Sequence, residues 1–127
     1  MVVDACKSAR RWRLSGIDAP ELGQDFGKRS KQALADKVAD KQVTVETHGK
    51  DRYGRTLGTI YVGERNINLE MVAEGMAWWH KRYAPKDAAL EKAESAARAG
   101  KLGLWAGKPI EPWEWRKQEK ERRAKVK

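Results

Sequence analysis

Apolar residues recur along this chain with two periods, and the switches between them lay out the elements. Arg11 to Leu14 alternates polar and apolar positions, the pattern of a half-buried strand, and runs into a loop around Gly16 to Gln24. Pro20 biases Ala19 away from helical angles, so residues 17–21 stay extended or turn-like. Phe26, Ala33, Leu34 and Val38 then fall at helical spacing across a charged segment and predict a helix over 26–38. Val43 and Val45 share one face of a strand from Gln42 to Thr47, and Thr56 to Val62 reads as another. Gly49 and Gly54 suit the hairpin connection between them.

Further on, Leu69, Val72, Ala73 and Met76 give a compact helical face that stops near Gly75. Trp78 and Trp79 open a short extended segment, and 83–85 is a loop. Asp87 to Ala99, rich in alanine, glutamate and lysine, is a helix closed by Gly100. Leu102, Leu104 and Trp105 pack back on the domain, while Pro109 and Pro112 make the stretch beyond irregular. Three strands mixed with three helices point to an α+β chain, a small barrel or open sheet carrying packed helices. Three strands leave unpaired edges and cannot close a barrel.

The 127 residues allow one domain and one main core. No window approaches the roughly 20 apolar residues that a bilayer requires, so no membrane partner is expected. No basic segment followed by an apolar stretch opens the chain, so no signal peptide is visible. One cysteine, Cys6, excludes an intrachain disulfide framework and any multi-thiolate metal site. The net charge of +9 favours anionic partners, and residues 116–127 carry +5 of it, dividing the chain into a domain over 1–115 and a basic tail over 116–127. That tail reads equally as a phosphate-binding arm and as a solvated end.

Two polar clusters carry candidate chemistry. Residues 13–21 place Arg13 late on a strand and Asp18 and Glu21 in the loop that leaves it; residues 51–55 add Asp51, Arg52, Tyr53 and Arg55 in a turn. This inventory suits phosphoryl transfer. Asp18 offers hard oxygens to a divalent cation, and Glu21 can take the proton of an attacking water. Arg13 and Arg55 can fork onto phosphate oxygens as negative charge builds. The same residues also read as surface ion pairs beside an ordinary turn.

The segments RLSGIDAPE (13–21) and DRYGR (51–55) closely resemble the two signature motifs of the staphylococcal nuclease family. Similarity continues through 63–83, the alanine-rich helix, KLGLWA (101–106) and PWEWRK (112–117), covering roughly residues 9–117. The resemblance implies an OB-type β-barrel with three helices and calcium-dependent hydrolysis of DNA and RNA leaving 3'-phosphate ends. It assigns catalytic roles to Arg13, Glu21 and Arg55, and metal ligation to Asp18 and the backbone carbonyl of Ala19. It places Tyr53 and Tyr83 beside the nucleotide; Lys81 stands at the family's other aromatic position there, where it can contact phosphate. Relatives of this kind are often secreted or periplasmic.

The family's Asp-Gly-Asp-Thr element, which supplies another calcium-ligating aspartate within the opening strands, has no counterpart ahead of Arg13. An incomplete barrel at the N-terminal strands is therefore expected; Asp4 lies too near Asp18 in sequence to match that aspartate, and compensation by it in space stays open. A catalytically weak or inactive nucleic-acid-binding domain is the alternative function. A monomer is the expected state, with a strand-sharing dimer as the way to repair the missing edge. Packing leads for Trp12, Trp105, Trp113 and Trp115, whereas packing and base stacking are evenly open for Trp78 and Trp79. His80 is a possible phosphate neighbour, and neither it nor His48 has the spacing of a zinc ligand.

Overall fold

The computed structural model describes residues 2–4, 11–20, 23–24, 26–50 and 54–126. In chain order the elements are β1 (Val2–Asp4), β2 (Arg11–Leu14), β3 (Ile17–Asp18), α1 (Gly27–Val38), β4 (Thr44–Lys50), β5 (Thr56–Val62), β6 (Arg65–Asn66), α2 (Ile67–Ala73), β7 (Trp78–Trp79), α3 (Ala88–Ala99), a 3-10 turn (Gly103–Ala106) and α4 (Pro112–Val126). The main sheet runs β1-β2-β5-β4 with β6 added on β5, and β3 pairs with β7 in a second, two-stranded sheet. Among the described residues neither sheet closes on itself, so the α+β architecture is that of an incomplete barrel. The edge left open by three strands is met on one side by β1, which pairs antiparallel with β2. Asp4 lies opposite Arg11 in this register, at the far end of β2 from Leu14.

Alternation sets the sheet's faces. Gly58 and Ile60 of β5 point inward, and Leu14 of β2, the partner of Gly58, is buried with them. They join Ile17, Ile67, Met71 and Val72 in one core beneath α1, α2 and α3. Each such aliphatic side chain, fully removed from water, contributes about 1.5–3 kcal/mol. The helices begin where the sequence supplies a cap: Asn66 accepts from the Leu69 amide to start α2, and Asp87 accepts from the Leu90 amide to start α3.

Two devices tie α2 to its surroundings, the sheet on one side and the 3-10 turn on the other. Asn68 of α2 is buried; its Nδ2 donates to the carbonyls of Ser15 and Gly58, and its Oδ1 accepts from the Ile60 amide. One side chain thus satisfies backbone groups at the mouth of the site loop and on β5. The second is a backbone crossing in which the Leu104 amide donates to the Gly75 carbonyl at 2.8 Å. Gly75 has φ +75°, and a Cβ there would fall 2.2 Å from the Leu102 carbonyl oxygen, so only glycine fits.

The stretch after Pro109 differs from its irregular reading. Residues 112–126 form α4, with Pro112 at the first helical position, where its fixed φ suits a helix and its missing N–H is no loss. Glutamate, lysine, glutamine and arginine, all good helix formers, fill the rest. Residues 116–126 of the expected tail therefore lie on a helix.

Candidate active site

The site is built where β2, β3 and β7 meet the start of α4. β2 delivers Arg13 at a partly buried position, and the chain turns at Ser15 and Gly16 into β3, which carries Asp18. β3 pairs with β7 so that Ile17 lies opposite Trp79 and Asp18 opposite Trp78. The His80 amide donates to the Gly16 carbonyl at 2.9 Å, carrying this pairing one step further.

Asp18 is only 2% exposed, and guanidinium groups face both of its oxygens. Arg13 Nη2 is 3.6 Å from Oδ1, and Arg116 Nη2 of α4 donates to Oδ2 at 3.1 Å. Two cations around one carboxylate leave local positive charge, which suits a phosphate rather than a further cation. Ala19 follows with its side chain buried. Arg55 precedes β5 by one residue and Leu57, the partner of Arg13, by two, so strand alternation carried back from β5 puts it on the Arg13 side of the sheet.

Lys81 and Tyr83 lie on the turn after β7. Glu94 of α3 accepts from the Trp79 amide at 2.8 Å and is itself held by Arg98, while Trp79 Nε1 donates to the Ala84 carbonyl at 2.8 Å. These bonds brace both ends of the turn. Lys81 projects from it with Nζ 5.7 Å from the Trp79 ring centroid, and Tyr83 is 63% exposed. Glu21 and Tyr53 lie outside the described residues, as do Asp51 and Arg52.

His80 links the turn to the charged cluster. Its ring stacks at a tilt against Tyr83 at 4.3 Å and Trp113 of α4 at 5.0 Å. Burial pushes its pKa below the ordinary histidine value; Asp18 opposes that, and Arg13 and Arg116 reinforce it. The charged form of the ring is thereby disfavoured. Nδ1 is buried and finds no hydrogen-bond partner among the described residues.

Trp78 and Trp79 are both buried, at 2% and 8% exposure, so packing accounts for each of them. Trp113, expected to pack, meets the buried Trp78 edge-on at 6.3 Å while staying 38% exposed beside His80, and Arg116 was not among the expected site residues. Their spacing of three residues was the available signal: in a helix it puts both on neighbouring parts of one face.

The oxygen donors Asp18 and Ala19 are of the kind calcium takes, but not in number. Calcium requires roughly six to eight oxygens. No group of three or more His, Cys, Asp or Glu side chains among the described residues could hold a metal ion. With Asp18 already engaged by arginines, these residues do not fit calcium as they stand.

The family described as staphylococcal nuclease homologue matches residues 11–107. A Haemophilus influenzae protein described as an uncharacterized endonuclease is 51% identical over 109 residues, which are 85% of this chain and 61% of that protein. A micrococcal nuclease of Shigella flexneri is 46% identical over 121 residues, covering 87% of this chain and 70% of its own length. A staphylococcal-like nuclease of Arabidopsis thaliana is 41% identical over 111 residues, 87% of this chain but 34% of the plant protein. The chain belongs to the staphylococcal nuclease homologue family, and it spans about three fifths of the Haemophilus relative and a third of the plant one.

Proposed function

We propose that the chain is a nuclease, a phosphodiesterase that hydrolyses DNA and RNA with little sequence specificity and leaves 3'-phosphate ends. The observation that supports it best is the Arg13–Asp18 pair, 3.6 Å apart at the end of β2. It lies in the segment that carries the family's first motif, beside an exposed aromatic edge. Relatives named as nucleases, from bacteria and plants, support the same reading.

In this reading Arg13 leaves Oδ1 of Asp18 in part and forks onto the non-bridging oxygens of the scissile phosphate, where it holds the charge that builds during attack. Glu21 takes a proton from the attacking water as its oxygen bonds to phosphorus. The bond from phosphorus to the 5' oxygen breaks, that oxygen takes a proton from solvent water as it leaves, and phosphate remains on the 3' side. Arg55 stabilises the leaving oxygen. Asp18 orients Arg13, and Tyr53, Lys81 and Tyr83 hold the nucleotide and its phosphate. Calcium dependence rests on the family resemblance alone, since Asp18 and Ala19 do not complete a calcium site among the described residues.

A nucleic-acid-binding domain of little or no turnover is the second reading. It is favoured by one observation, the engagement of both Asp18 oxygens by arginines. Cleavage of a fluorescent single-stranded DNA, with calcium titrated against EDTA and Glu21→Gln in parallel, separates the two. Calcium-dependent cleavage that disappears in the variant establishes the enzyme. Binding without cleavage, unchanged by calcium, establishes the binding domain.

A further inference from the structure

The site and the family disagree at Asp18. The family implies a calcium ion there, and arginines already face both of the carboxylate oxygens. The two arginines differ in origin. Arg13 comes from β2, inside the segment that matches the family, whereas Arg116 comes from α4, beyond the matching residues 11–107.

α4 crosses the first motif loop and is pinned to it along its leading end. Arg116 Nη2 donates to Asp18 Oδ2 at 3.1 Å, and Gln24 Nε2 donates to the Ile110 carbonyl just ahead of the helix. A Cβ built on Gly23 would lie 3.5 Å from the Trp115 ring, and Trp113 meets Trp78, the cross-strand partner of Asp18, edge-on at 6.3 Å. Each of these contacts falls at or before Arg116. Beyond it, residues 117–118 and 120–125 are exposed. A helix held at one end by few contacts opens at a small part of the cost of unfolding the domain.

Opening does not orphan the carboxylate. Arg13 Nη2, 3.6 Å from Oδ1, stays with Asp18 when Arg116 leaves, so the buried charge keeps a partner. What changes is Oδ2, where a divalent cation can take the place of the guanidinium once its repulsion is gone. Arg116 and the cation need the same oxygen.

We propose that α4 is an autoinhibitory strap, in which Arg116 holds the Asp18 oxygen that a divalent cation would take, so that strap and cation occupy it in alternation. The strap rests on the nuclease reading for the use of Asp18, and adds to it a residue that sets how readily the cation binds. The apparent cation affinity then scales with the fraction of molecules whose strap is open.

The test is isothermal titration of calcium chloride into the full chain, unaltered, as Arg116→Ala and as Arg123→Ala, without nucleic acid. Arg116→Ala should bind calcium about five- to tenfold more tightly than the unaltered chain. Arg123→Ala removes the same charge seven residues further along α4 and should change affinity less than about twofold. Equal gains in the two variants would assign the effect to net charge and overturn the strap, as would an unchanged or weaker affinity in Arg116→Ala. In the unaltered chain, excess calcium should speed amide hydrogen exchange across 112–126 and leave α2 and α3 as they were. Unaltered exchange in α4 overturns the strap even where Arg116→Ala fails to fold. A chain that cleaves DNA but fails these tests loses only the strap; one that neither cleaves nor binds calcium in any form loses the nuclease reading as well.

Discussion

Arg116 and Asp18, 98 residues apart in sequence, meet at 3.1 Å and join the last helix to the first motif loop. The carboxylate is buried and the guanidinium is 44% exposed, so the contact closes the edge of the site. A charge-assisted hydrogen bond of this kind, partly screened by solvent, contributes about 1 kcal/mol. Arg116→Ala should therefore speed amide hydrogen exchange across 112–126 while leaving α2 and α3 protected. Unchanged exchange in α4 would show that the contact does not hold the helix.

Asn68 should matter more than any surface polar residue. Replacing it with leucine keeps the branched shape but removes a partner from the Ile60 amide and from the Ser15 and Gly58 carbonyls, of which Gly58 keeps the Ser15 amide. Loss of about 2–4 kcal/mol is expected, read as a lower denaturant midpoint at an unchanged slope. Because Ser15 lies between Arg13 and Asp18, nucleic-acid binding should weaken in the same variant. A shift below about 0.5 kcal/mol would mean that the backbone groups find other partners.

The crossing of Gly75 over the 3-10 turn gives a sharper contrast. Gly75→Ala forces backbone apart, since the new Cβ would lie 2.2 Å from the Leu102 carbonyl oxygen. Gly63 has a similar φ of +61° but nothing within 4 Å of the built Cβ. Thermal unfolding should show Gly63→Ala costing about 1–2 kcal/mol from its left-handed backbone alone, and Gly75→Ala clearly more. Equal losses would remove the close approach as the cause.

Acid should loosen the join between α1 and α2. Glu70 accepts two bonds from Arg65, at 2.8 and 2.7 Å, and lies 3.3 Å from Lys37 of α1. The Arg65 hydrogen bonds, with help from Lys37 and against burial, hold its pKa down to about 2 from 4.5. A folded value below the unfolded one means the contribution is complete above the unfolded pKa and fades as pH falls through the folded one. The stability difference between the native chain and Glu70→Gln should thus be constant near neutrality and vanish between about pH 5 and pH 2. A difference that does not depend on pH would exclude this origin.

The first half of the site was legible in the sequence and the second was not, for reasons that differ by residue. Arg13, Asp18 and Ala19 come from one contiguous segment whose proline and strand pattern fix its course. α2 announced itself by apolar spacing and α3 by its alanine, glutamate and lysine and the closing Gly100, while the Asn66 and Asp87 caps emerged only with the structure. α4 carries charge nearly all round and offers no apolar stripe to count, so Pro109 and Pro112 read as breaks although Pro112 starts a helix. With α4 unread, Arg116 and Trp113 could not be placed. Trp78 and Trp79 left packing and stacking open because a two-residue strand has no period, and only the fold shows that both are buried. β1 is equally short, and nothing in three residues marks it as a strand.

The most direct test of the site is single-turnover cleavage of a labelled single-stranded oligonucleotide by the unaltered chain and by Arg13→Ala, with binding measured alongside. If Arg13 holds charge that develops only during attack, the rate should fall by about 10²–10³-fold while affinity changes only a few-fold. Equal rates, or a loss confined to affinity, would remove Arg13 and the Asp18 cluster from the chemistry.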